Sequence, residues 1–275
     1  MDGKIALVTG ASSGIGKATV REFLRRGITV YAAARRLEKM EDLKQEGARP
    51  IRLDVTDEAS VTEAVQAIAA EAGPVSYLIN NAGYGAYGAV EDVEMDEARR
   101  QFDVNMFGLA ALTRAVLPAM REQRFGRIIN ISSIGGKIYT PLGAWYHATK
   151  HAVEGFSDAL RLEVRQFGID VVVIEPGAIQ SEWEGIAADS AQRISGSGAY
   201  ADFTEKTVRR MKSAYDSGGK PSPPEVVART IVGAALAGRP ATRYASGRNA
   251  RMLLFLRRVL SDRMFDRVVR MAYGL

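Results

Sequence analysis

The feature that most restricts the fold of this 275-residue chain is a series of short apolar runs separated by amphipathic stretches. The runs are rich in Val and Ile and have the length of strands, and they occur in KIALVTG, ITVYAAARR, ARPIRLDV, VSYLINNAG, RIINISS and DVVVIEPG. Strands that are apolar along their whole length are buried on both faces, as in a parallel sheet. The runs therefore predict a sheet covered on both sides.

The stretches between the runs carry hydrophobic residues at helical spacing. These helical patterns lie at 16–26, 37–46, 58–72, 96–121 and 145–166. Repeated strand, helix, strand units form parallel sheets with right-handed crossovers. We therefore predict an α/β fold over residues 1–275, a single Rossmann-type doubly wound parallel sheet with helices on both faces.

The pattern loosens after Pro176. Residues 181–222 hold two Gly/Ser-rich pieces, SGSG and DSGGKPSPP, around the basic amphipathic piece DFTEKTVRRMKSAY. Long irregular insertions in compact domains are usually lids or binding loops, so we predict a substrate lid here, with a surface excursion as the alternative. SPPEVVARTIVGAALAG then predicts a further helix with Ser222 as its N-cap.

Composition excludes several kinds of site. The chain has 47% hydrophobic and 25% charged residues, which is typical of a soluble globular protein. It has no cysteine, which rules out disulfides, thiolate metal sites and cysteine nucleophiles. Its two histidines, His147 and His151, lie four apart on a predicted helix without a third ligand nearby. We expect them on a helix surface or interface, and no metal site.

The N-terminal sequence and the hydropathy pattern bear on location. MDGKIALVTG enters an apolar run directly, without a charged leader and a long hydrophobic segment. No run approaches the ~18 apolar residues of a membrane span. We therefore expect a cytoplasmic protein.

The net charge of +5 comes from the C-terminal part of the chain. From Arg243 to Leu275 there are eight arginines and two aspartates, a net +6 that leaves −1 for the rest. Basic residues interleaved with aromatics along a groove are not seen, so we expect no nucleic-acid partner.

The C-terminal extension, residues 245–275, has an amphipathic pattern. One helical stripe is predicted to hold Met252, Phe255, Leu256, Val259, Leu260, Met264 and Val268. The stripe could roof the substrate pocket or pack on a second subunit, and we favour these two over peripheral contact with an anionic membrane.

Two short motifs suggest where chemistry occurs. The first apolar run ends in TGASSGIG, where glycines at 10, 14 and 16 permit a tight turn and leave a helix N-terminus free for an anion such as a dinucleotide pyrophosphate. Further along, AWYHATKHAVEGF places Tyr146 and Lys150 four residues apart, on one helix face. Taken alone, this pair also fits a solvated helix face.

Six motifs in order make the sequence resemble the short-chain dehydrogenase/reductase family over about residues 3–182. They are TGxxxGIG at 9–16, NNAG at 80–83, Asn105 in DVNMFG, ISS ending at Ser133, YxxxK at 146–150 and PG at 176–177. The resemblance implies an oxidoreductase that interconverts a ketone or aldehyde with an alcohol, using a nicotinamide cofactor. It also implies a homodimer or homotetramer.

The resemblance implies four catalytic residues, Asn105, Ser133, Tyr146 and Lys150. Tyr146 would act as acid/base, Ser133 rather than Ser132 would bond the substrate oxygen, and Asn105 would position a water beside Lys150. Lys150 would also bond the ribose hydroxyls. A phenol pKa near 10 is too high for this work at neutral pH, so we expect the ammonium and the cationic nicotinamide to lower it; about three units correspond to roughly 4 kcal/mol.

The resemblance also implies which residues contact the cofactor. Besides Tyr146 and Lys150, they are Gly10, Ser12, Ser13, Gly14, Ile15 and Gly16 at the glycine turn, Asp54 and Val55 at the adenine, Asn81, Ala82 and Gly83 on the adenosine side, and Pro176, Gly177, Ile179 and Ser181 near the carboxamide and pyrophosphate.

The residues at the end of the second predicted strand indicate whether NAD(H) or NADP(H) is preferred. Eighteen residues beyond Gly16, where family members that prefer NAD carry an acid, the chain has Ala34, followed by Arg35 and Arg36. No carboxylate repels a 2'-phosphate there, and a guanidinium can clamp it. We predict that NADP(H) is preferred and NAD(H) possible, although Ser13 is not the basic residue that some NADP-dependent relatives carry.

The substrate is predicted only as a class. Candidate pocket residues flank the catalytic motifs or begin the lid; they are Tyr84, Tyr139, Leu142, Trp145 and Trp183. Their aromatic character, and a resemblance of NNAGYGAYGAVEDVEMDE and the extended C-terminus to hydroxysteroid and retinol dehydrogenases, favour a steroid-, retinoid- or lipid-like carbonyl. Two alternatives are a 3-oxoacyl carrier protein type reductase, since arginines attract an acidic carrier, and a non-catalytic NADP(H)-sensing protein.

Overall fold

The computed structural model describes residues 3–180, 183–216 and 221–275. Its strands are β1 Ile5–Thr9, β2 Thr29–Ala34, β3 Arg49–Arg52, β4 Tyr77–Asn80, β5 Gly126–Ile131, β6 Ile169–Pro176 and β7 Arg243–Ser246. They form one parallel sheet in the order β3-β2-β1-β4-β5-β6-β7. The six predicted strands are confirmed. The seventh was missed because RYAS is short, polar and only partly buried, as an edge strand can be.

Helices connect the strands and cover the sheet. They are α1 Gly14–Arg25, α2 Glu41–Gln45, α3 Glu58–Ala72, α4 Met95–Phe102, α5 Gly108–Glu122, α6 Ala144–Val164, α7 Trp183–Ser195, α8 Ala201–Asp216, α9 Pro224–Leu236, α10 Ala250–Val259 and α11 Asp262–Tyr273. A π-helical turn, Asp103–Phe107, joins α4 to α5. Single helical turns lie at Leu37–Met40, Ile134–Gly136, Arg165–Phe167 and Gly198–Tyr200.

Adjacent residues of β1 point to opposite faces of the sheet, and each face has its own core. Val8 packs in a cluster with Phe23 of α1 and Ile231 of α9. Leu7 packs in a second cluster with residues of α3, α5 and α6, such as Leu112. This alternation is the period of two that a buried strand requires, and it confirms a doubly wound sheet.

The strand order reverses at β1, which pairs with β2 on one side and β4 on the other. The loops that leave the carboxyl ends of β1 and β4 therefore run in opposite directions. A crevice opens between them, and this is where doubly wound sheets bind ligands.

Two details of the segment after β6 differ from what the sequence pattern indicated. Residues 183–216 are mostly helical, because α7 and α8 each present an apolar face that packs on the rest of the protein. The N-cap of α9 is Pro223 and not Ser222. The backbone of Ser222 is instead bonded to that of Ala178 and Gln180, which fixes the segment beside the end of β6.

The C-terminal extension is two helices and not one. Leu260 has an extended conformation, with φ −86° and ψ 141°, and this ends α10 before Ser261 caps α11. The single predicted stripe is therefore wrong beyond Val259. Phe265, which the stripe omitted, is the residue of α11 that is fully buried. None of the helices in the described ranges is long and apolar enough to cross a membrane.

Candidate active site

A cleft of about 600 Å³ lies at the carboxyl ends of β1, β2, β4, β5 and β6. Ser133, Tyr146 and Lys150 line one part of it, and the glycine turn after β1 lines another. Every predicted cofactor residue that the structure describes lines the cleft except Gly16, which lies behind the turn. Ser181 lies outside the described residues. The sequence motifs thus meet at one place although they are spread over six parts of the chain.

The glycine turn has a conformation that other residues would strain. Gly10 has a φ of +64° and Gly14 a φ of +52°. A Cβ on Gly16 would lie 2.3 Å from the carbonyl oxygen of Gly10, so a side chain cannot fit there. The packing brings the first turn of α1 directly against the loop after β1.

The N-terminus of α1 suits a pyrophosphate. Ser13 caps the helix through its backbone only, with no side-chain cap bond, and the first turn contains no acidic residue. Its N–H groups and the positive end of the helix dipole therefore face the cleft without a competing carboxylate. These residues fit the pyrophosphate of a dinucleotide.

Lys150 lies on α6, 8% exposed, and its Nζ donates a hydrogen bond of 2.8 Å to the carbonyl oxygen of Ile131. Burial lowers the pKa of Lys150 to about 8, although the negative charge of Glu154 acts to raise it. Carbonyl and carboxylate together retain the ammonium form in a site that disfavours charge.

Tyr146 lies one turn before Lys150 and is also 8% exposed. Burial raises the pKa of Tyr146 to about 12, while a hydrogen bond with Ser133 acts to lower it. The lowering that the sequence analysis expected depends on the bound cationic nicotinamide as well as on Lys150, and it stays a prediction. The Lys150 Nζ lies 6.0 Å from the centre of the tyrosine ring.

The two serines at the end of β5 have different surroundings. Ser133 Oγ accepts a 3.0 Å bond from the N–H of Gly135 and also bonds Tyr146. Ser132 is buried, and its Oγ has no hydrogen-bond partner among the described residues. The contact with Tyr146 favours Ser133, as the sequence predicted.

Asn105 lies in the π-helical turn, where the widened backbone turns its side chain toward α6. Its Oδ1 accepts a 3.0 Å bond from the Tyr84 N–H, and its Nδ2 donates to the Tyr84 carbonyl at 2.8 Å and to Thr149 Oγ1 at 3.1 Å. The amide thus holds the loop after β4 against α6. The predicted role beside a water stays a prediction.

At the other end of the cleft, Arg35 and Arg36 are exposed and line it directly after β2. Neither forms an ion pair with the residues that the structure describes. Asp54, across from them, is partly buried, which acts to raise its pKa. Hydrogen bonds from Thr56 and the charges of Arg35 and Arg100 nevertheless hold the pKa of Asp54 below its usual range. Arg35 therefore faces the region where the sequence placed the adenosine.

Comparison with known proteins decides the family. Residues 4–192 match the family model described as short chain dehydrogenase. This chain belongs to the short-chain dehydrogenase/reductase family. It is an oxidoreductase of the class that acts on CH–OH and C=O groups.

Several relatives extend beyond the matched region. A probable short-chain type dehydrogenase/reductase of Helicobacter pylori is 35% identical, covering 97% of each chain. An NADPH-dependent 3-dehydrocapnine reductase of Ornithobacterium rhinotracheale is 34% identical, covering 96% of this chain and 95% of that protein. A 3-ketodihydrosphingosine reductase of Bacteroides thetaiotaomicron is 40% identical, covering 77% and 76%.

Solved structures that are similar to this chain agree with the family assignment. A short-chain dehydrogenase from Streptomyces avermitilis has a TM-score of 0.80 and 34% identity, covering 98% of this chain and 99% of its own. The closed form of a serine dehydrogenase complexed with NADP+ has a TM-score of 0.76 and 29% identity, covering 88% and 94%.

The predicted substrate residues divide into two groups. Tyr84 lines the cleft, with its hydroxyl donating a 2.9 Å bond to Glu97, and Leu142 packs with Tyr146 in an apolar cluster. Tyr139 and Trp145 are not among the described lining residues. Tyr139 is covered by the C-terminal helices: its ring contacts Phe265 and its hydroxyl donates 2.7 Å to Asp266. The side chain of Trp183 lies outside the described part.

The cluster around Tyr146 also includes a residue that the sequence analysis missed. The ring centre of Tyr87 is 5.8 Å from that of Tyr146. Ser190 of α7 accepts a 2.7 Å bond from the Tyr87 N–H, and Ser195 accepts 2.9 Å from the Ala89 N–H. These bonds attach α7 to the loop after NNAG. Tyr87 lies four residues after the NNAG motif, which could have drawn attention to it, whereas nothing in the sequence pattern marked the two serines.

Helix α4 supplies two more residues that were missed. Glu97 and Arg100 both line the cleft, three residues apart on one face of the helix. They begin the long helix that the sequence predicted, yet they belong to no motif. Ile186 of α7 also lines the cleft and is half exposed, at the opening toward solvent.

His147 is buried, which corrects the expectation of a surface residue. Its Nδ1 lies 3.0 Å from the Gly135 carbonyl oxygen, and its Nε2 accepts a 2.9 Å bond from the Thr140 N–H. These partners require a neutral ring with its proton on Nδ1. Burial lowers the pKa of His147 to about 4. The ring thereby fixes the loop that precedes the Tyr146 helix.

Proposed function

We propose that this short-chain dehydrogenase/reductase interconverts a lipophilic ketone or aldehyde with its alcohol, using NADP(H), with Tyr146 as acid/base. The observation that carries the proposal is the meeting of Ser133, Tyr146 and Lys150 in the cleft that Arg35 lines at its other end. When bound, the nicotinamide supplies or accepts the hydride at the carbonyl carbon. The protein supplies the proton and the orientation.

Each side chain has a distinct task in this proposal. Ser133 donates to the substrate oxygen and holds it beside the phenol. Tyr146 gives its proton to the forming alkoxide, or takes it from the alcohol in reverse. Lys150, fixed by the Ile131 carbonyl, bonds the ribose hydroxyls and favours the phenolate that remains. Since burial raises the pKa of Tyr146, the positive charges of Lys150 and of the bound oxidised nicotinamide are needed to ionise the phenol.

The preference for NADP(H) has independent support. Ala34 leaves no acid at the end of β2, and Arg35 and Arg36 are exposed in the cleft without ion-pair partners in the described ranges. A relative is named as NADPH-dependent, and a similar structure is named as an NADP+ complex. NADP(H) is therefore the preferred cofactor, with a guanidinium bound to the 2'-phosphate.

A lipophilic substrate is favoured by the surroundings of Tyr146. The phenol packs among Tyr87, Leu142 and the alanines of α7, which offer an apolar wall and few polar partners. Two relatives are named for ketones at carbon 3, 3-dehydrocapnine and 3-ketodihydrosphingosine. We propose a lipid-like ketone on this basis. The resemblance to hydroxysteroid and retinol dehydrogenases stays a prediction, as do the roles of α7 and α8 as a lid, the oligomeric state and the location.

The cofactor proposal is tested by fluorescence titration of NADPH and NADH at one ionic strength. Wild type is expected to bind NADPH more tightly. Arg35→Ala should weaken NADPH by about tenfold to a hundredfold through the loss of charge-assisted bonds and leave NADH nearly unchanged. Arg52→Ala is the matched control, since Arg52 pairs in register beside Ala34 but does not line the cleft. Equal weakening by both variants would contradict the clamp.

The catalytic proposal is tested with a series of ketones of increasing chain length. Turnover with NADPH should rise with chain length, and Tyr146→Phe should lower kcat by about a hundredfold or more while NADPH binding is retained. A 3-oxoacyl group turned over only on its carrier protein would favour the carrier-dependent alternative. Cofactor binding without turnover of any ketone or alcohol would favour a sensing protein.

A further inference from the structure

The two C-terminal helices expose a stripe of large apolar side chains. On α10, Met252, Phe255 and Val259 are 54%, 63% and 55% exposed; on α11, Met264 and Met271 are 50% and 77% exposed. Their spacings of three, four and seven residues keep each group on one helix face. Large apolar side chains grouped in this way at a surface mark an interaction site.

A row of arginines follows this stripe on both helices. Five apolar residues are each directly preceded by an exposed arginine, in the pairs Arg251-Met252, Arg258-Val259, Arg263-Met264, Arg267-Val268 and Arg270-Met271. One residue is a rotation of about 100° on a helix, so the arginines lie along the same flank of each stripe. No ion pair involves these five arginines among the described residues, whereas Arg257 pairs with Asp262.

The other side of these two helices is fixed to the protein. Phe265 is 1% exposed, with its ring 5.3 Å from that of Tyr139, and Arg257 lies over both rings. Tyr139 also bonds Asp266 at 2.7 Å. The C-terminal helix pair, α10 with α11, therefore has an anchored set of side chains and a separate, outward set of apolar and basic side chains.

We propose that the outward face of α10 and α11 docks on an anionic lipid bilayer. The apolar stripe would enter the boundary between headgroups and acyl chains, and the flanking arginines would contact lipid phosphates and carboxylates. An apolar face bordered by unpaired cations is the complement of such a surface.

A second copy of the chain is a poorer occupant of this face. A symmetric dimer brings the same patch of both subunits together, so the arginine rows would oppose each other. An acidic carrier protein would satisfy the arginines, but it would not by itself require exposed side chains such as Phe255 and Met271.

The test is co-sedimentation of the full-length protein with vesicles of phosphatidylcholine alone and of phosphatidylcholine with phosphatidylserine. Wild type is expected to pellet with the anionic vesicles and to be released by salt. Arg251→Gln with Arg258→Gln should weaken the association more than tenfold, at about fivefold for each arginine. Met252→Ser with Phe255→Ser should weaken it about tenfold or more.

Met95→Ser and Arg229→Gln are the matched controls, because both residues are exposed on other helices, and they should bind like wild type. Circular dichroism establishes that each variant is folded. The proposal is overturned if wild type ignores anionic vesicles, if the controls lose as much binding as the tail variants, or if the tail variants change only the oligomeric mass. The measurement needs neither substrate nor cofactor, so it succeeds or fails independently of the proposed function.

Discussion

Lys150 is buried yet charged, and Glu154, one helical turn further along α6, contributes to this. Glu154 is 3% exposed, and its Oε2 forms ion pairs of 3.0 Å with both Lys137 and Arg243. The pKa of Glu175 in β6 is raised mainly by burial and next by the negative charge of Glu154. Asp158, the next acid on α6, shares Arg243. This network of ion pairs begins one helical turn from Lys150.

Replacing Glu154 with Gln should shift the pH dependence of the reaction. Glu154 acts to raise the pKa of Lys150, which lies at about 8. Without that charge the pKa falls, and the ammonium form is lost at a lower pH as pH rises. The alkaline limb of kcat/KM should therefore move to lower pH, with a loss of roughly threefold to tenfold on that limb.

Asp158→Asn is the matched control, because Asp158 also pairs with Arg243 but lies one helical turn further from Lys150. Its alkaline limb is expected to stay where it is in wild type. An unmoved limb in Glu154→Gln, with only a uniform drop in rate, would show that Glu154 has a structural role alone.

His147 should make stability depend on pH. Its pKa is lowered to about 4 in the folded protein, against an ordinary 6.5, so the unfolded chain binds the proton first. Stability is then complete above pH 6.5 and is lost as pH falls toward 4, by about 3 kcal/mol over that range. Denaturant unfolding at pH 7 and pH 5 covers part of the range and should show a loss of about 2 kcal/mol.

The variant His147→Asn should show a smaller loss of stability between the two pH values than wild type. His151→Asn is the control, since His151 is exposed four residues away on the same helix, and it should keep the wild-type difference. If both variants behave like wild type, other groups cause the acid sensitivity.

At the scale of elements, one arginine joins the sheet to the end of a helix. Arg127 of β5 is 4% exposed, and its guanidinium donates to the carbonyls of Ala234, Ala235 and Ala237 at the C-terminus of α9. It also pairs with Asp170 of β6 at 2.7 Å. The last carbonyls of a helix lack partners within the helix, and a cation there also complements the dipole.

Arg127→Met should lower the free energy of unfolding by about 3 kcal/mol, because buried carbonyls lose their donor. Activity should survive at low temperature, since Arg127 lies at the beginning of β5, whereas the cleft is lined from the other end of that strand, at Ile131, Ser132 and Ser133. Thermal unfolding followed by circular dichroism, with Arg121→Met of the exposed α5 end as control, measures the effect. A loss below 1 kcal/mol would contradict the capping role.

At the scale of the whole molecule, Phe265 is a buried contact between the C-terminal helix pair and the rest of the protein. Phe265→Ala removes the ring that packs on Tyr139, which should cost about 3 kcal/mol or more locally. We expect the arginine-rich tail to become sensitive to trypsin while NADPH binding is unchanged, because neither α10 nor α11 lines the cofactor cleft. Met264→Ala, on the exposed neighbour, should stay resistant. Loss of NADPH binding in Phe265→Ala would mean that the C-terminal helix pair supports the core.

Much of the site was predictable because it consists of motifs that follow strands. Parallel strands deliver their carboxyl ends to one edge of the sheet, so the residues after β1, β2, β4, β5 and β6 had to meet there. Gly10 was predicted from the glycine turn, Arg35 from its place after the second strand, and Ser133 from the family resemblance, and all three line the cleft. Glu97 and Arg100 were missed because they belong to no motif and reach the cleft only through the angle at which α4 packs. Tyr87 was missed because its contact with Tyr146 forms only when the loop after NNAG packs on α6.

The sequence by itself determined the sheet, its covered faces and the family, because hydrophobic period and motif order depend on neighbours in the chain. Only the tertiary structure decided the protonation of Tyr146, Lys150 and His147 and the path of the C-terminal helices. A pKa depends on how much water and charge remain around a group after packing. A helix as short as α11 takes its position from tertiary contacts such as that of Phe265, whose burial no local pattern reveals.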